Sequence, residues 1–455
     1  MKKKQLILAI LYTIIFLIAL IVLGNISNIS DKKLKLYTLI VCVFIFLCTF
    51  IWIYFERNFS IFTIFIITYI VCIFSKPVSV YLLEKEQYNY LLYLFSRDEI
   101  KKAIFLSILS FISLFIGASL SKQKIVDIRD KNKFSDDHLL KHVAWVLFII
   151  SFPASIYNFI RDISLALQGG YRLVYSTDKN LIEVIISVLS NYLYLSIILL
   201  LLIYKKKRIF IISVIYYALQ IFIGNRGIPI IKVIVLLFIY NKYIEKFNKK
   251  QIFLNLIGGY IAFILFDMIA RMRSLPLSYM IENIGSIFLN SIQNSPVLNI
   301  LNEVGTAFIP TVAGLKVAET YEKYYFGMTY IYTILNAIPL LRLPENFTIL
   351  GDPANYIASF FGISFGGSII GEAYINFGFF TPIFIGIMGF LINNVSNILN
   401  TTNNKWKIAI MAVISTEIIW VVRNSTLVLI STIINSIVIP IIIYIFVKSF
   451  IYRKS

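Results

Sequence analysis

Two groups of side chains in this sequence are of a type and spacing that could do chemistry. The first is acidic. Glu372 follows Gly366-Gly367-Ser368 and opens the run Glu372-Ala373-Tyr374-Ile375-Asn376-Phe377-Gly378. Ser368, Glu372 and Asn376 are spaced i, i+4, i+8, which places them on one face of a helix. Such a stripe on an apolar helix faces either a cavity or a neighbouring helix, where it would act as a hydrogen-bond ladder. Facing a cavity, the Glu372 carboxylate could accept a proton while Ser368, Tyr374 and Asn376 orient hydroxyl groups. Glu303, in Asn302-Glu303-Val304-Gly305-Thr306, is a second candidate base, against the alternative of a solvated loop carboxylate. Asp352, in Gly351-Asp352-Pro353, reads as a turn residue or helix cap, and Asp267 as a buried partner for a nearby arginine.

The second group is basic. Arg226 lies in Gly224-Asn225-Arg226-Gly227, where two glycines permit a tight turn and close approach of a ligand to the backbone. Arg271 and Arg273 leave the end of an apolar run, and Arg423 stands in the short turn Arg423-Asn424-Ser425 between two others. A single arginine here could simply snorkel to lipid headgroups. Four at one membrane face, two of them in minimal turns, favour recognition of an anionic group such as a phosphate by guanidinium forks.

Other chemistries find no support. Asp136-Asp137 would suit a metal-dependent transferase, but it stands beside His138 in a charged loop and reads as a solvated cluster. Cys42, Cys48 and Cys72 fall inside apolar runs, as structural thiols do. There is no Walker A, GxSxG, HExxH or paired CxxC motif, so ATP-driven pumps and metalloproteases are excluded and neither a metal nor a cofactor is expected.

The elements that must carry these residues follow from composition. The 455 residues are 59% hydrophobic and 14% charged, with a mean hydropathy of +0.84. A soluble domain averages about 45–50% apolar and about 25% charged residues, so soluble enzymes and disulfide scaffolds are excluded. The pattern predicts an all-α, polytopic integral membrane protein of about twelve transmembrane helices. The expected runs are 5–23, 36–55, 59–75, 103–120, 143–160, 181–203, 209–223, 228–241, 252–269, 366–392, 408–422 and 427–447. The first, behind Lys2-Lys3-Lys4, is too long for a signal peptide and reads as an uncleaved span. The net charge of +19 marks topology and carries no expectation of nucleic acid. Lys205-Lys206-Lys207-Arg208, Lys242 to Lys250 and the C-terminal Lys448, Arg453 and Lys454 all fall on the side of the N-terminus. Both termini are therefore expected in the cytoplasm, with Lys32, Lys33 and Lys35 as a local violation. Residues 270–365 form a long outer loop within one polytopic domain. Pro276, Pro296, Pro310, Pro339, Pro344 and Pro353 divide that loop into short helices, and its apolar stretches are expected to enter the interface.

The ordered motifs Gly224-Asn225-Arg226-Gly227, Leu301-Asn302-Glu303-Val304-Gly305-Thr306, Gly327-Met328-Thr329-Tyr330 with Ile338-Pro339, and Gly367-Ser368-Ile369-Ile370-Gly371-Glu372-Ala373-Tyr374-Ile375-Asn376-Phe377-Gly378 resemble the O-antigen polysaccharide polymerases of the Wzy type. The resemblance spans about residues 220–380. It implies a bacterial inner-membrane glycosyltransferase working at the periplasmic face on undecaprenyl-diphosphate-linked oligosaccharide, without a metal. It also implies a chain-length-regulating co-polymerase as partner. On that footing Arg226, Arg271, Arg273 and Arg423 would hold the donor diphosphate, and Glu303 or Glu372 would accept the proton of the attacking hydroxyl. A lipid-linked oligosaccharide flippase and an O-antigen ligase remain as alternatives. The flippase is disfavoured by the lack of internal repeats, because transporters tend to show them.

Overall fold

The computed structural model describes residues 3–26, 30–56, 59–85, 92–121, 137–169, 173–174, 177, 180–222, 227–272, 282–283, 285–286, 288–289, 295–338, 341 and 343–452. Among them every regular element is helical. In chain order these include α1 (Lys3–Gly24), α2 (Asp31–Phe55), α3 (Ile61–Leu82), α4 (Arg97–Leu120), α5 (Asp137–Gly169), α6 (Leu181–Tyr204), α7 (Lys207–Phe222), α8 (Gly227–Tyr243) and α9 (Lys249–Met272). A set of shorter helices follows: α10 (Pro296–Val304), α11 (Phe308–Tyr321), α12 (Met328–Asn336), α13 (Glu345–Leu350) and α14 (Pro353–Phe361). Then come α15 (Ile369–Phe377), α16 (Thr381–Thr401), α17 (Lys405–Trp420), α18 (Thr426–Ile433) and α19 (Ile439–Tyr452).

Each of the twelve expected runs falls largely on helix where it is described, and among the described residues eight stretches are long and apolar enough to cross a membrane. These are α1 to α6, α15 with α16, and Thr426–Ser449. The helices α7, α8 and α17 have 16, 17 and 16 residues. Apolar residues left exposed on α1 and α2, among them Leu17, Phe46 and Ile53, suit a lipid environment.

Helix starts follow local chemistry. Ser30 and Ser60 accept the backbone N–H three residues on and so cap α2 and α3. Ser96 with Glu99, and Asn180 with Glu183, form capping boxes at α4 and α6. Two π-helical stretches, Ile70–Phe74 and Val78–Leu82, interrupt α3 without ending it. From residue 295 on, the described part of the proline-rich segment becomes short helices as expected; Pro276 and Pro339 lie outside the described residues. Pro296 and Pro353 begin α10 and α14, where a missing N–H is no loss.

The chain divides into two compact units. The first comprises Met1–Ile125, Leu301–Thr401 and Ile418–Ser431; the second comprises Val126–Ile300, Thr402–Glu417 and Thr432–Ser455. In the first, α4 is the central helix, packed against α1, α2, α11 and α16. Its crossing with α16 is close because Gly117 meets the Gly386 backbone and Gly389 meets the Leu114 backbone; small residues of this kind allow membrane helices to approach. Tyr12, Trp52, Phe62 and Phe111 surround Phe115 beside that crossing. In the second unit, α5 packs along α6 and against α19, and α7 pairs with α8.

Candidate functional site

The polar stripe on α15 is built as its spacing predicts, and each of its residues reaches a different neighbour. Ser368, at the start of α15, shares a hydrogen bond of 2.6 Å with the Thr311 hydroxyl on α11. Asn376 donates to the Thr329 hydroxyl at 2.7 Å, and its side-chain oxygen accepts the Gly327 N–H at 3.1 Å. These bonds tie α15 to α11 and α12, the ladder arrangement that the spacing allowed. Gly371 and Gly314 let α15 and α11 come together, since a Cβ on Gly371 would stand 2.5 Å from the Pro310 carbonyl oxygen. Tyr374 donates to Glu319 at 3.2 Å, and Glu319 also pairs with Lys102 at 3.0 Å.

Glu372, 1% exposed, points elsewhere. Its Oε2 accepts the backbone N–H of Thr426 at 3.0 Å, and its Oε1 accepts the Thr426 hydroxyl. The carboxylate therefore grips the turn that carries Arg423. Two more contacts hold the same turn. Gly367 lies flat on it, with an added Cβ only 2.5 Å from Asn424 C and Ser425 N. Asp352, the cap of α14, accepts the Ala354 N–H at 3.2 Å and the Asn355 amide at 2.9 Å, and is hydrogen-bonded to Ser425. Burial raises the Asp352 carboxyl above its ordinary value, and those hydrogen bonds pull it partly back. The double glycine Gly366-Gly367 now has a reason. Gly366 adopts φ +81°, and Gly367 leaves room for the turn.

Arg423 closes the short 3-10 helix Val421–Arg423 and is half-buried. This element packs on α15 and on the π-helical stretch Ile70–Phe74 of α3, which brings Arg423 within electrostatic reach of Cys72. The same part of α3 meets the segment that carries Glu303. Ser75 donates to the Leu301 carbonyl at 2.6 Å, Lys76 donates to Asn302 Oδ1 at 2.8 Å, and Gly305 sits against Ser75 and the Lys76 backbone. Glu303 is half-buried in the last turn of α10. Four segments of the first unit thus converge around one region: α15 with Glu372, the Arg423 turn, the middle of α3 with Lys76, and the α10–α11 junction with Glu303.

The other arginines are not part of that description. Arg226 and Arg273 lie outside the described residues, and Arg271 belongs to the end of α9 with its side chain outside them. Asp267 on α9 is buried.

Sequence reasoning missed Lys76 and Thr426. Lys76 is fully buried, and a lysine inside an apolar stretch was a legible signal. The expected run stops at residue 75, one residue before this lysine, whereas the helix continues to Leu82. Thr426 carried no signal, since a threonine that opens an apolar run is ordinary.

The family model of the O-antigen polysaccharide polymerase Wzy matches residues 7–454, nearly the whole chain. The chain belongs to this family. It is a multi-pass membrane polymerase that joins lipid-linked repeat units into O-antigen, and its activity is of the glycosyltransferase type. No curated protein and no solved structure matches it.

Proposed function

We propose that this polymerase works at the periplasmic face of the bacterial inner membrane, with both termini cytoplasmic, twelve spans in one polytopic domain and residues 270–365 as its outer loop. The donor is the growing glycan on undecaprenyl diphosphate. The acceptor is the non-reducing-end hydroxyl of the next lipid-linked repeat unit. The hydroxyl oxygen attacks C1 of the donor sugar while the C1–O bond to the diphosphate breaks, and the electron pair leaves with the lipid diphosphate. Arg423, with Arg226, Arg271 and Arg273, stabilises the charge that develops on that leaving group. Glu372 accepts the hydroxyl proton, with Glu303 as the other candidate. Ser368, Asn376 and Tyr374 set the position of α15 and orient sugar hydroxyls in the loaded site. The diphosphate is already an activated leaving group, so the step calls for no metal or nucleotide, and a chain-length-regulating co-polymerase would act on the product.

The observation that carries this assignment is the grip of Glu372 on the turn of Arg423. A carboxylate and a guanidinium of opposite duties are held on one rigid support, as a site that must meet both a hydroxyl and a diphosphate requires. The test is a gene deletion in the host, complemented with wild type, Arg423→Ala, Arg423→Lys or Glu372→Gln, with surface glycan separated by gel. Loss of the ladder with a single repeat unit still attached is expected for Arg423→Ala and Glu372→Gln. Arg423→Lys keeps the charge and loses the fork, so it should shorten the ladder. A full ladder from Arg423→Ala would overturn the clamp.

A further inference from the structure

The second unit holds a cavity of about 520 Å³ between α5, α6, α7 and α8. This lies within the roughly 300–1,000 Å³ common for ligand sites. In a unit made of membrane-type helices its lining is unexpectedly polar. Asn158, Arg161 and Asp162 project from α5, Tyr216 and Gln220 from α7, and Lys232 from α8. Ser155, Asn158 and Arg161 recur at i, i+3, i+6, so one face of α5 is polar along the cavity.

The charges are neutralised in place. Arg161 donates to Glu183 at 2.8 Å and lies 3.5 Å from Asp162. The Lys232 ammonium stands 5.5 Å and 5.3 Å from the Tyr194 and Tyr217 rings, with Glu417 within electrostatic reach. Cation–π contact and a nearby carboxylate stabilise such a buried cation. A diphosphate entering here would face Asp162, and a cation would face Arg161 and Lys232. What the lining offers instead is amide and hydroxyl groups beside aromatic faces. Asn158 bonds Ser190 at 3.1 Å, and the Tyr216 hydroxyl bonds Ser155 and Gln220. Planar amides, hydroxyls and tyrosine rings match the alternating hydroxyl edges and C–H faces of a sugar.

We propose that this cavity is a saccharide-binding site that holds an uncharged part of the repeat-unit glycan, in a different unit from the one that carries Glu372 and Arg423. The inference rests on the polymerase reading for the identity of the sugar. It adds a second place where glycan is recognised, by hydrogen bonding and stacking and without phosphate contacts.

The test uses the purified full-length protein and, as probe, the host's own repeat-unit oligosaccharide released from its carrier by mild acid. Binding is followed by titration calorimetry, with inorganic pyrophosphate as competitor. Asn158→Ala and Gln220→Ala each remove one polar contact and should weaken binding about tenfold. Ser187→Trp, which fills the cavity, should abolish it. Elution profile and unfolding temperature establish that each variant is folded, and Gln220→Ala serves where the larger change does not fold. Unchanged affinity in folded Asn158→Ala and Gln220→Ala would overturn the proposal, as would absence of oligosaccharide binding to the wild type. Displacement of the oligosaccharide by pyrophosphate would also overturn it, by making the cavity an anion site. The glycan ladder of the deletion strain separates the two readings. A ladder that persists without the gene refutes the polymerase assignment, whereas a ladder lost on deletion but insensitive to cavity variants refutes only the saccharide site.

Discussion

Glu372 could act as a base, as the clamp of the Arg423 turn, or as both, and a pair of isosteric substitutions separates these roles. Thr426→Val keeps the shape of the side chain and removes the hydroxyl that Glu372 Oε1 accepts. The buried carboxylate then retains only the Thr426 N–H at 3.0 Å. A hydrogen bond to a charged group is worth about 1.5–3 kcal/mol, so Thr426→Val should destabilise the protein by that amount. Glu372→Gln preserves both contacts in altered form. Its amide oxygen can accept the Thr426 N–H, and its NH2 can donate to the Thr426 hydroxyl oxygen once that O–H turns away. Two neutral hydrogen bonds replace two charged ones, and a carboxylate no longer has to be buried. Stability should therefore stay within about 1 kcal/mol of wild type. Activity should behave in the opposite order. Glu372→Gln cannot take a proton and should slow polymerisation by roughly 10²–10⁴-fold, whereas Thr426→Val should slow it far less. The assay pairs the unfolding midpoint of detergent-solubilised protein with the rate of repeat-unit incorporation in membrane vesicles. A wild-type rate for Glu372→Gln would refute its role as base and pass that role to Glu303, to be checked with Glu303→Gln. A Glu372→Gln protein that is destabilised as Thr426→Val is, and slowed no more than Thr426→Val, would show the carboxylate to be a clamp alone.

Three further outcomes follow from the same region. Gly367→Ala puts a Cβ 2.5 Å from the Asn424–Ser425 backbone and must displace the Arg423 turn, so it should cost about 1–3 kcal/mol and shorten the glycan ladder; Gly24→Ala, with nothing within 4 Å, should change neither by more than about 0.5 kcal/mol. Lys76→Met removes the donor of the 2.8 Å bond to Asn302 and should destabilise the protein by about 1–3 kcal/mol, read as a lower unfolding midpoint. Asp352 carries a carboxyl raised above its ordinary value of 3.8, so the stability it supplies is complete below that pH and is lost as pH rises through the higher folded value. Asp352→Asn should remove this decline, and unfolding midpoints measured between about pH 4 and 7 would reveal it.

Local periodicity made part of this legible, and distance hid the rest. The i, i+4, i+8 spacing of Ser368, Glu372 and Asn376 announced a shared helix face, because helix geometry is set by neighbours along the chain. The partners of that face, Thr311, Thr426 and Thr329, lie 57, 54 and 47 residues away, and no short-range pattern could have named them. Charge misled at Lys76. A lysine after an apolar run ordinarily marks the membrane surface, yet α3 continues through two π-helical stretches to Leu82 and buries it. Pro296, Pro344 and Pro353 stand at helix starts, but Pro310 falls in the first turn of α11, where it interrupts nothing, and Phe308 to Leu315 are all buried in the first unit. A segment expected as outer loop thus contributes core.

The same distinction explains why family was easier to read than chemistry. Glycines and the residues around them record close approaches of backbone, and those are demanding enough to leave a motif. Gly305 against Ser75, Gly371 against Pro310 and Gly367 against the Arg423 turn are three such contacts within the resembling segments. The duty of a carboxylate leaves no comparable trace, because a clamp and a base are the same residue type on the same helix face. Geometry narrows the choice by showing what Glu372 holds. It grips the support of the one candidate arginine whose surroundings are described, so moving the carboxylate must also move that cation. Coupling between the two is therefore the property to measure. If Arg423→Lys and Glu372→Gln act independently, their losses of rate should multiply. If the turn joins them into one device, the double variant should lose little more than the worse single one.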